Sequence, residues 1–398
     1  MAYPSQSLPP VRSSHDVRIL FVSAVFLGIQ APPRVSHRCR VRRRRERCMR
    51  MSPDLGPVTR KAESAVCDVA IIGAGVAGLS AAQRLVDEGF SVRVFEKSRG
   101  LGGRSATRRF RGFGFDHGAQ YFTVQSSRFH SVIQPLIEIG DVRRWDPRIV
   151  TIRADRSRAP APESDRYVGV PGMSTLGNSL AVDLTVQRDT RIASLQLERA
   201  DDWTLVAEDG RKLGRYSGVV VSCPAPQAAW LLGPVVPELA ADCSSVSMQP
   251  CWAVMAAFDD PLPVEFDAAF FDDDRLAWAA RDSSKPGRPP MPDCWTLHAA
   301  PEWSARHLDD DDSGVAAALL DRFFDLSGLS MRDASTALAH RWRYARPDQD
   351  NPLPRRIDDS TRIVVAGDWT NGPRIEAAFL SGIEAAGDLI GLLGAPSR

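Results

Sequence analysis

The sequence predicts an α/β protein, in which a parallel sheet with an added β-meander is built from distant parts of the chain and an α+β domain is inserted. The 398 residues are too many for one ordinary hydrophobic core, so two domains are expected. Short apolar strands at residues 66–72, 218–222 and 362–366 lie far apart in the chain. Such runs are typical of parallel strands that are buried on both faces.

A strand–helix–strand unit begins this sheet. The run VCDVAII ends at Ile72, a helix rich in Ala and Leu is predicted from Val76 to Glu88 and stops at Gly89, and SVRVFE ends at Glu96. A connection of this kind joins two parallel strands by a right-handed crossover. The sheet is therefore expected to be of the Rossmann-like type.

The rest of the chain predicts the meander, the inserted domain and a closing helix. Alternating runs at residues 191–197 and 203–208 indicate an antiparallel pair. The segment 147–166, rich in Arg, Pro and Ala, predicts a loop. Further elements are expected as strands at 251–258, 276–281 and 294–299 and as helices at 315–324 and 375–393.

The predicted domains are discontinuous. The dinucleotide-binding domain comprises residues 61–104, 181–235 and 355–398. The inserted domain, which we expect to hold the substrate, comprises residues 105–180 and 236–354. Residues 1–60 are predicted to be a disordered or non-native extension, and the alternatives are a transit peptide or sequence upstream of a start at Met49 or Met51.

Charge distribution argues against a nucleic-acid partner. Residues 1–50 hold eleven Arg, no Lys and two acids, so the remaining residues carry 39 basic and 47 acidic side chains, a net charge of −8. This acidic body has no feature of a nucleic-acid surface. The apolar run at residues 19–31 is too short to span a bilayer, and no membrane partner is expected.

The cysteines and acidic runs indicate neither a disulfide framework nor a metal site. The seven Cys are scattered, odd in number and without a C-x-x-C pair, which fits a reducing cytoplasm. The acidic runs at residues 272–274 and 309–312 are typical of solvated charge. No metal ligand is therefore predicted.

The segment GAGVAG fits the pattern G-x-G-x-x-G in the context that gives the pattern meaning. It follows a strand and opens a helix. The next strand ends at Glu96, 18 residues after Gly78. Gly73 permits the tight turn, Gly75 lets a pyrophosphate approach the backbone, and Gly78 lets the helix pack on the sheet. Glu96 is expected to accept hydrogen bonds from a ribose, and its charge disfavours a 2′-phosphate.

Later segments distinguish the cofactor. The turn GLGGR puts Arg104 just after the acidic strand end, and DHGAQYFT follows from Asp116. With LAWAARDSSKPGR, WTLHAAPEWS, HRWRYA and GDWTNGPRIEAAFLSG, these motifs make residues 66–393 resemble the renalase-like flavoproteins of the flavin-dependent amine oxidase superfamily. The resemblance implies a two-domain fold with FAD at the domain boundary.

The resemblance also assigns residues to the cofactor. It implies that Ala77, Arg104, Gln120 and Tyr121 contact FAD, that Asp368 holds the ribitol chain, and that residues 372–375 place a helix N-terminus near the flavin ring. The predicted cofactor-binding residues are Gly73, Gly75, Ala77, Gly78, Glu96, Lys97, Arg104, Gln120, Tyr121, Asp368, Gly372, Arg374 and Ile375. No Cys follows Cys294, so the FAD is expected to be non-covalent.

The substrate is expected to be a small molecule held by the inserted domain. Aromatic rings can enclose a planar substrate, and Arg or His can bind an amide or a phosphate. The candidate catalytic residues are His298, His340, Arg341 and Tyr344, with Trp303 and Trp342 as further wall candidates. Among the four lysines, only Lys285 is placed to take a role near the flavin.

Three functions stay open at this point. The resemblance favours a flavin oxidase that takes a hydride from a dihydronicotinamide-type substrate and passes the electrons to dioxygen, with hydrogen peroxide as product. The alternatives are a true amine oxidase and a non-catalytic, flavin-binding redox module. The sequence does not predict the oligomeric state.

Overall fold

The computed structural model of the protein describes residues 67–199, 202–348 and 356–395, which belong to one compact unit. The predicted N-terminal extension lies outside the described residues, so its three interpretations stay open. The boundaries between the cofactor domain and the inserted domain stay predictions as well. The elements of the described residues nevertheless divide clearly between two large sheets.

The described strands follow the chain order β1 (Cys67–Ile72), β2 (Val92–Phe95), β3 (Thr107–Phe110), β4 (Phe113–Asp116), β5 (Val142–Trp145), β6 (Ile149–Arg153), β7 (Arg158–Pro160), β8 (Arg166–Gly169), β9 (Thr185–Gln187), β10 (Ile192–Arg199), β11 (Asp202–Ala207), β12 (Lys212–Val221), β13 (Met248–Phe258), β14 (Ala268–Asp272), β15 (Leu276–Arg281), β16 (Asp293–Ala299), β17 (Thr336–Pro347), β18 (Ile357–Asp358) and β19 (Ile363–Val365).

The described α-helices are α1 (Val76–Asp87), α2 (Ser127–Ile139), α3 (Ser174–Leu180), α4 (Ala225–Leu232), α5 (Pro237–Ser244), α6 (Pro301–Arg306), α7 (Asp312–Ser327), α8 (Asp368–Asn371) and α9 (Ile375–Leu393). Short 3₁₀ turns lie at Gly103–Ser105 and Asp282–Ser284. Helix α9 has the predicted bounds, and α7 extends three residues beyond its prediction at each end.

The first sheet is the predicted parallel sheet with its meander. Strand β1 lies between β2 and the second half of β12, and β12 also pairs in parallel with β19. The antiparallel meander β10–β11–β12 joins through the first half of β12. Alternate residues of β1 enter two different cores, Val69 and Ile71 on one face and Ala70 and Ile72 on the other. Burial on both faces explains the uninterrupted apolar run.

The second sheet runs in the order β17–β13–β16–β15–β14–β6–β7. Its pairs are antiparallel except for β6 with β14. Helix α7 covers it and buries Leu319 and Phe323 against Trp295 and the strands beside it. Asp311 caps α7 by accepting hydrogen bonds from the backbone of Ser313 and Gly314, and the left-handed Gly328 ends the helix.

The predicted loop at residues 147–166 is wrong. This segment forms β6 and β7, and β6 pairs with β14 across more than a hundred residues of chain. Partners so distant leave no signal in a local window, and the density of Arg and Pro hides the strand character. Pro160 is tolerated because β7 is the edge strand, where a missing N–H donor breaks no ladder.

Candidate functional site

A cavity of about 1700 Å³ lies at the carboxyl ends of the parallel strands and reaches the second sheet. Gly73, Glu96 and Ser222 directly follow β1, β2 and β12 and line one end of the cavity. This is the position where open α/β sheets bind their ligands. The predicted residues that line the cavity are Gly73, Gly75, Ala77, Glu96, Lys97, Arg104, Asp368, Arg374 and Ile375 from the cofactor set and His298, His340, Arg341 and Tyr344 from the catalytic set.

Two of the predicted cofactor residues outside this lining have structural roles near the phosphate loop. A Cβ at Gly78 would lie 2.1 Å from the carbonyl oxygen of Gly73, so α1 can approach β1 only with glycine at this position. Gly372, at φ 111°, links α8 to α9 in a conformation that favours glycine. Both residues position the cavity walls instead of lining them.

The other two predicted cofactor residues lie behind the cavity wall. The Gln120 amide donates to the carbonyl oxygen of Asp116 and its oxygen accepts from Lys285. Tyr121 packs between Trp145 and Trp278, with ring centroids 6.2 and 5.8 Å away. Their contacts with the cofactor stay predictions. Trp303, a predicted wall residue, belongs to the core of the second sheet and stacks on His307, with ring centroids 4.1 Å apart.

The phosphate loop fits a dinucleotide. Gly75 has φ −74° and ψ 176°, which any residue adopts, so the backbone does not require glycine there. A Cβ at Gly75 would nevertheless meet no protein atom within 4 Å and would project into open space at the N-terminus of α1. No side chain caps this helix end. The glycine therefore leaves room for an anion beside free N–H groups.

Glu96 shapes the same loop. One of its carboxylate oxygens accepts from the backbone N–H of Ala74 at 2.8 Å, and the other accepts from Ser98 at 2.8 Å. The side chain is 7% exposed and lines the cavity. Each oxygen keeps acceptor capacity for a ribose hydroxyl, because a carboxylate offers about four lone-pair sites.

Arg104 and Asp368 contact each other across the cavity. The guanidinium donates to both carboxylate oxygens, at 2.8 and 2.6 Å, and to the carbonyl oxygen of Ala345 at 3.0 Å. This two-pronged geometry fixes both side chains. It links the turn after β2, strand β17 and the N-terminus of α8, so it holds the middle of the cavity together.

A cluster of histidines and tryptophan closes the far end of the cavity. His117 stacks on Trp342 with ring centroids 5.1 Å apart and meets His340 edge-on at 4.8 Å. Its carbonyl oxygen accepts from Trp342 Nε1 at 2.8 Å and from His298 Nε2 at 3.3 Å. His117 is 7% exposed, and its Nδ1 has no hydrogen-bond partner among the described residues. The cluster therefore offers flat ring faces to the cavity.

Burial keeps these imidazoles neutral. It lowers the pKa of His117 to about 3, with further lowering by His340, Arg108 and His298. Burial likewise lowers the pKa of His298 to about 4. The pKa of His340 falls through burial and the nearby Arg108 charge. At neutral pH the cluster carries no charge of its own, and each neutral imidazole has one nitrogen that donates and one that accepts a hydrogen bond.

We expect the His298 imidazole to make folding sensitive to mild acid. Its pKa of about 4 lies below the ordinary 6.5, so between these values the unfolded chain binds a proton that the folded chain lacks. The free energy of unfolding therefore falls as pH drops through this window, by at most about 1.4 kcal/mol per pH unit. His298→Gln should flatten this slope by about one proton in urea denaturation at successive pH values. The exposed His130→Gln is the control, and an unchanged slope in His298→Gln would contradict the assignment.

Two residues of this end were missed by sequence reasoning. Arg108 and His117 line the cavity, on β3 and directly after β4. The motif DHGAQY contains His117, but a single histidine beside a glycine carries no signal of its own. Arg108 is one of many arginines, and only the pairing of β3 with β4 brings it to the histidines.

Lys285 does not line the cavity and lies in a buried ion cluster with Asp116, Asp282, Arg288 and Gln120. Its Nζ lies 2.7 Å from Asp282 Oδ1, 3.0 Å from Gln120 Oε1 and 3.2 Å from Asp116 Oδ2. Arg288 adds a bond of 2.6 Å to Asp116. Every donor of the lysine thus has an acceptor within the protein, and its expected role near the flavin stays a prediction.

The ion cluster shifts the pKa values of its two carboxyl groups in opposite directions. Burial favours the neutral acid at Asp116, yet Lys285, Arg288 and hydrogen bonds from Thr107 and Met173 hold its pKa below the ordinary value. At Asp282 burial prevails and, with the Asp116 charge, raises the pKa. The cluster ties β4 to the turn after β15 directly behind the histidines.

The cysteines of the cavity wall are poor nucleophiles. Burial raises the pKa of the Cys223 and Cys251 thiols to about 12 each. Thiols of this kind stay protonated at neutral pH, and the thiolate is the reactive form. This supports the expectation of a non-covalent flavin.

Residues of the two acidic runs cap a helix and form ion pairs with arginines. Asp311 caps α7, Asp309 accepts from Arg341 and Arg343, and Asp273 pairs with Arg322. No group of three or more His, Cys, Asp or Glu suited to a metal occurs among the described residues. Within the same residues, every helix is too short or too polar to cross a membrane.

The fold and the site define a dinucleotide-binding protein whose cavity continues into a second domain-sized sheet. Two family models match the chain: the NAD(P)-binding Rossmann-like domain over residues 71–136, and the flavin containing amine oxidoreductase over residues 152–390. The second match covers more than half of the chain. The chain therefore belongs to the flavin-containing amine oxidoreductase family, and as a member it is an FAD-dependent oxidoreductase.

Curated relatives match over short segments. The zeta-carotene-forming phytoene desaturase of Myxococcus xanthus is 37% identical over 92 residues, which is 22% of this chain and 18% of the desaturase. The carotenoid 3,4-desaturase of Haloarcula japonica is 44% identical over 84 residues, 20% of this chain and 17% of the desaturase. The chain thus matches less than a fifth of the length of either enzyme.

Solved structures share the fold over most of the chain. The cyclohexylamine oxidase of Brevibacterium oxydans superposes with a TM-score of 0.66 at 15% identity, covering 82% of this chain and 99% of the oxidase. A putative protoporphyrinogen oxidase from an Exiguobacterium species superposes with a TM-score of 0.64 at 14% identity, covering 82% of this chain and 99% of that oxidase. A putrescine oxidase bound to putrescine superposes with a TM-score of 0.63 at 15% identity, covering 83% of this chain and 100% of that oxidase. The amine-oxidase type of fold is therefore confirmed.

Proposed function

We propose that the protein is a flavin oxidase for a dihydronicotinamide-type small molecule, with dioxygen as the final electron acceptor and hydrogen peroxide as product. The observation that carries the proposal is the neutral ring cluster of His117, His298, His340 and Trp342 at the end of the cavity away from the phosphate loop. A planar, uncharged, electron-rich ring finds flat aromatic partners there.

The chain's own residues bind and orient this ring. The stacked pair His117 and Trp342 fixes the wall, because Trp342 is anchored to the His117 carbonyl oxygen. His340, held neutral by burial, can donate to or accept from a carboxamide. Arg341 is itself held by the carbonyl oxygen of Leu308 at 2.5 Å and by Asp309 at 3.1 Å, so it supports the wall.

Bound FAD supplies the hydride acceptor and the later electron transfer to dioxygen. Hydride loss from a dihydronicotinamide needs no base, which fits a cluster whose imidazoles are neutral at neutral pH. The protein's part is therefore orientation and exclusion of water, the main tasks of the protein in such reactions.

The charge of the cavity wall disfavours amine oxidation, the second candidate. Three acids line the cavity, namely Glu96, Glu208 and Asp368. The basic residues that line it are Lys97, Arg99, Arg104, Arg108, Arg109, Arg191, Arg341, Arg343, Arg346 and Arg374. An excess of cations repels an ammonium substrate and attracts an anionic one. The amine oxidases among the structural neighbours support the amine alternative through the fold alone.

Anaerobic mixing of the holoenzyme with reductants tests the proposal. We expect one or more isomeric dihydronicotinamides to bleach the flavin absorbance rapidly, and cyclohexylamine and putrescine to leave it unchanged. Admission of dioxygen should then restore the absorbance with one equivalent of hydrogen peroxide. Bleaching by amines alone would make the protein an amine oxidase.

His340→Ala adds a residue-level control to the same experiment. We expect bleaching by the dihydronicotinamide to slow by about 10- to 100-fold, as for a lost positioning hydrogen bond. His307→Ala, at the end of α6 and outside the cavity lining, should leave the rate unchanged. If neither dihydronicotinamides nor amines bleach the flavin but light still reduces it, the non-catalytic, flavin-binding redox module is the remaining interpretation.

A further inference from the structure

We propose that Arg108 is a specificity residue that binds a phosphate group of the substrate at the mouth of the ring cluster. This inference rests on the proposed function and names the substrate class of that same site as a phosphate ester of the dihydronicotinamide. Arg108 lies between two cavities. The large cavity and an adjoining one of about 440 Å³ share Arg108, His340 and Arg341 in their walls.

The guanidinium of Arg108 is available for a ligand. It makes no hydrogen bond or ion pair with any residue that the structure describes, and it is exposed. Three other arginines of the cavity are committed within the protein. Arg104 pairs with Asp368, Arg191 with Glu208, and Arg341 with Asp309. A fork of free donors at a cavity wall suits a phosphate, which an arginine binds by two parallel bonds.

Arg108 also lies beside the rings. It lines both cavities together with His340, and the large cavity together with His117, and its charge lowers the pKa of both imidazoles. Strand β3 carries it next to β4, whose end leads into His117. A ring seated on the cluster thus has a cation at its edge.

The imidazole beside Arg108 also carries an unsatisfied polar atom. The Nδ1 atom of the buried His117 lacks a hydrogen-bond partner among the described residues. Buried polar atoms are rarely left unpaired. Asp312 is the acid that lines the adjoining cavity, and it forms no ion pair with Arg108. A phosphate would therefore meet one nearby carboxylate and an unopposed guanidinium.

The test compares two reductants that differ by one phosphate. Reduced nicotinamide mononucleotide and reduced nicotinamide riboside share the ring and the ribose. For wild-type holoenzyme we expect the phosphorylated compound to reduce the flavin at a roughly 10- to 100-fold lower half-saturating concentration, which matches a charge-assisted hydrogen bond. Arg108→Gln should remove this preference with little change in the limiting rate, and Arg108→Lys should keep part of it.

Arg111→Gln is the matched control. Arg111 lies at the turn of the same hairpin and outside the cavity lining, so its loss should leave the preference intact. An undiminished preference in Arg108→Gln would overturn the assignment, as would equal use of both reductants by the wild type.

A binding measurement separates this inference from the proposed function. Oxidised nicotinamide mononucleotide is titrated into holoenzyme, and its affinity is followed by calorimetry and by the flavin absorbance spectrum. Binding that weakens by 10-fold or more in Arg108→Gln supports the phosphate site even if no dihydronicotinamide bleaches the flavin, in which case the oxidase proposal alone fails. Bleaching together with mononucleotide binding that does not depend on Arg108 overturns the phosphate site alone.

Discussion

Gly75→Val is expected to yield a folded protein that purifies without its flavin. The residue has an extended backbone conformation that valine accepts, and a Cβ there would meet no protein atom within 4 Å. The added methyl groups would instead occupy the space beside the N-terminus of α1 that the pyrophosphate requires. We expect the affinity for FAD to fall by about 100-fold or more, as for an overpacked contact.

Two other glycines give the controls for this experiment. Gly387→Val places the same side chain on the exposed face of α9, where it also meets open space, and should keep the flavin. Gly78→Val should fail to fold, because its Cβ would overlap the Gly73 carbonyl oxygen. The ratio of flavin to protein absorbance and the circular dichroism spectrum distinguish the three variants. A yellow Gly75→Val variant would contradict the placement of the cofactor.

Lys285→Met is expected to lower the free energy of unfolding by about 3–5 kcal/mol, the cost of removing one partner from a buried ionic group. The lysine side chain is 0% exposed and is bonded to Asp116, Asp282 and Gln120. Methionine fills a similar volume but leaves the two carboxylates to Arg288 alone. Two close carboxylates cannot both stay ionised without compensation.

Lys212→Met is the matched control for this substitution. Lys212 lies 3.5 Å from Glu198 with both side chains largely exposed, at 66% and 47%. Exposed pairs of this kind contribute about 0–1 kcal/mol. Urea denaturation followed by tryptophan fluorescence measures both variants, and a loss below about 1 kcal/mol in Lys285→Met would show that the cluster does not stabilise the fold.

The sequence predicted well those parts of the fold that depend on local pattern. The β-strand before Gly73, helix α1 and helix α9 have strong local signals: an apolar run, a glycine loop and a long apolar period. Strand β6 was missed because its partner lies more than a hundred residues away. Register and pairing of this kind are decided by tertiary contacts, which a local window does not contain.

The site residues also divide into those that local pattern predicts and those that it does not. Gly75 and Glu96 were predicted because their roles follow from backbone geometry within one short unit. Gln120 and Lys285 carry polar groups whose partners come from distant segments, and the structure turns them toward each other behind the cavity. Arg108 was missed because nothing distinguishes one arginine among forty-six until the hairpin brings it to the histidines.

The long-range construction of the first sheet has a consequence for the order of events during synthesis. Strand β1 needs β12, which follows some 150 residues later, and β12 needs β19 after a similar interval. Helix α9 then packs so closely on the phosphate loop's helix that a Cβ at Gly382 would lie 2.0 Å from the Ala77 carbonyl oxygen. Contacts so distant in sequence form slowly. We therefore expect the complete cavity to form only after residues near 382 have left the ribosome, and until then the exposed apolar strands are prone to aggregation.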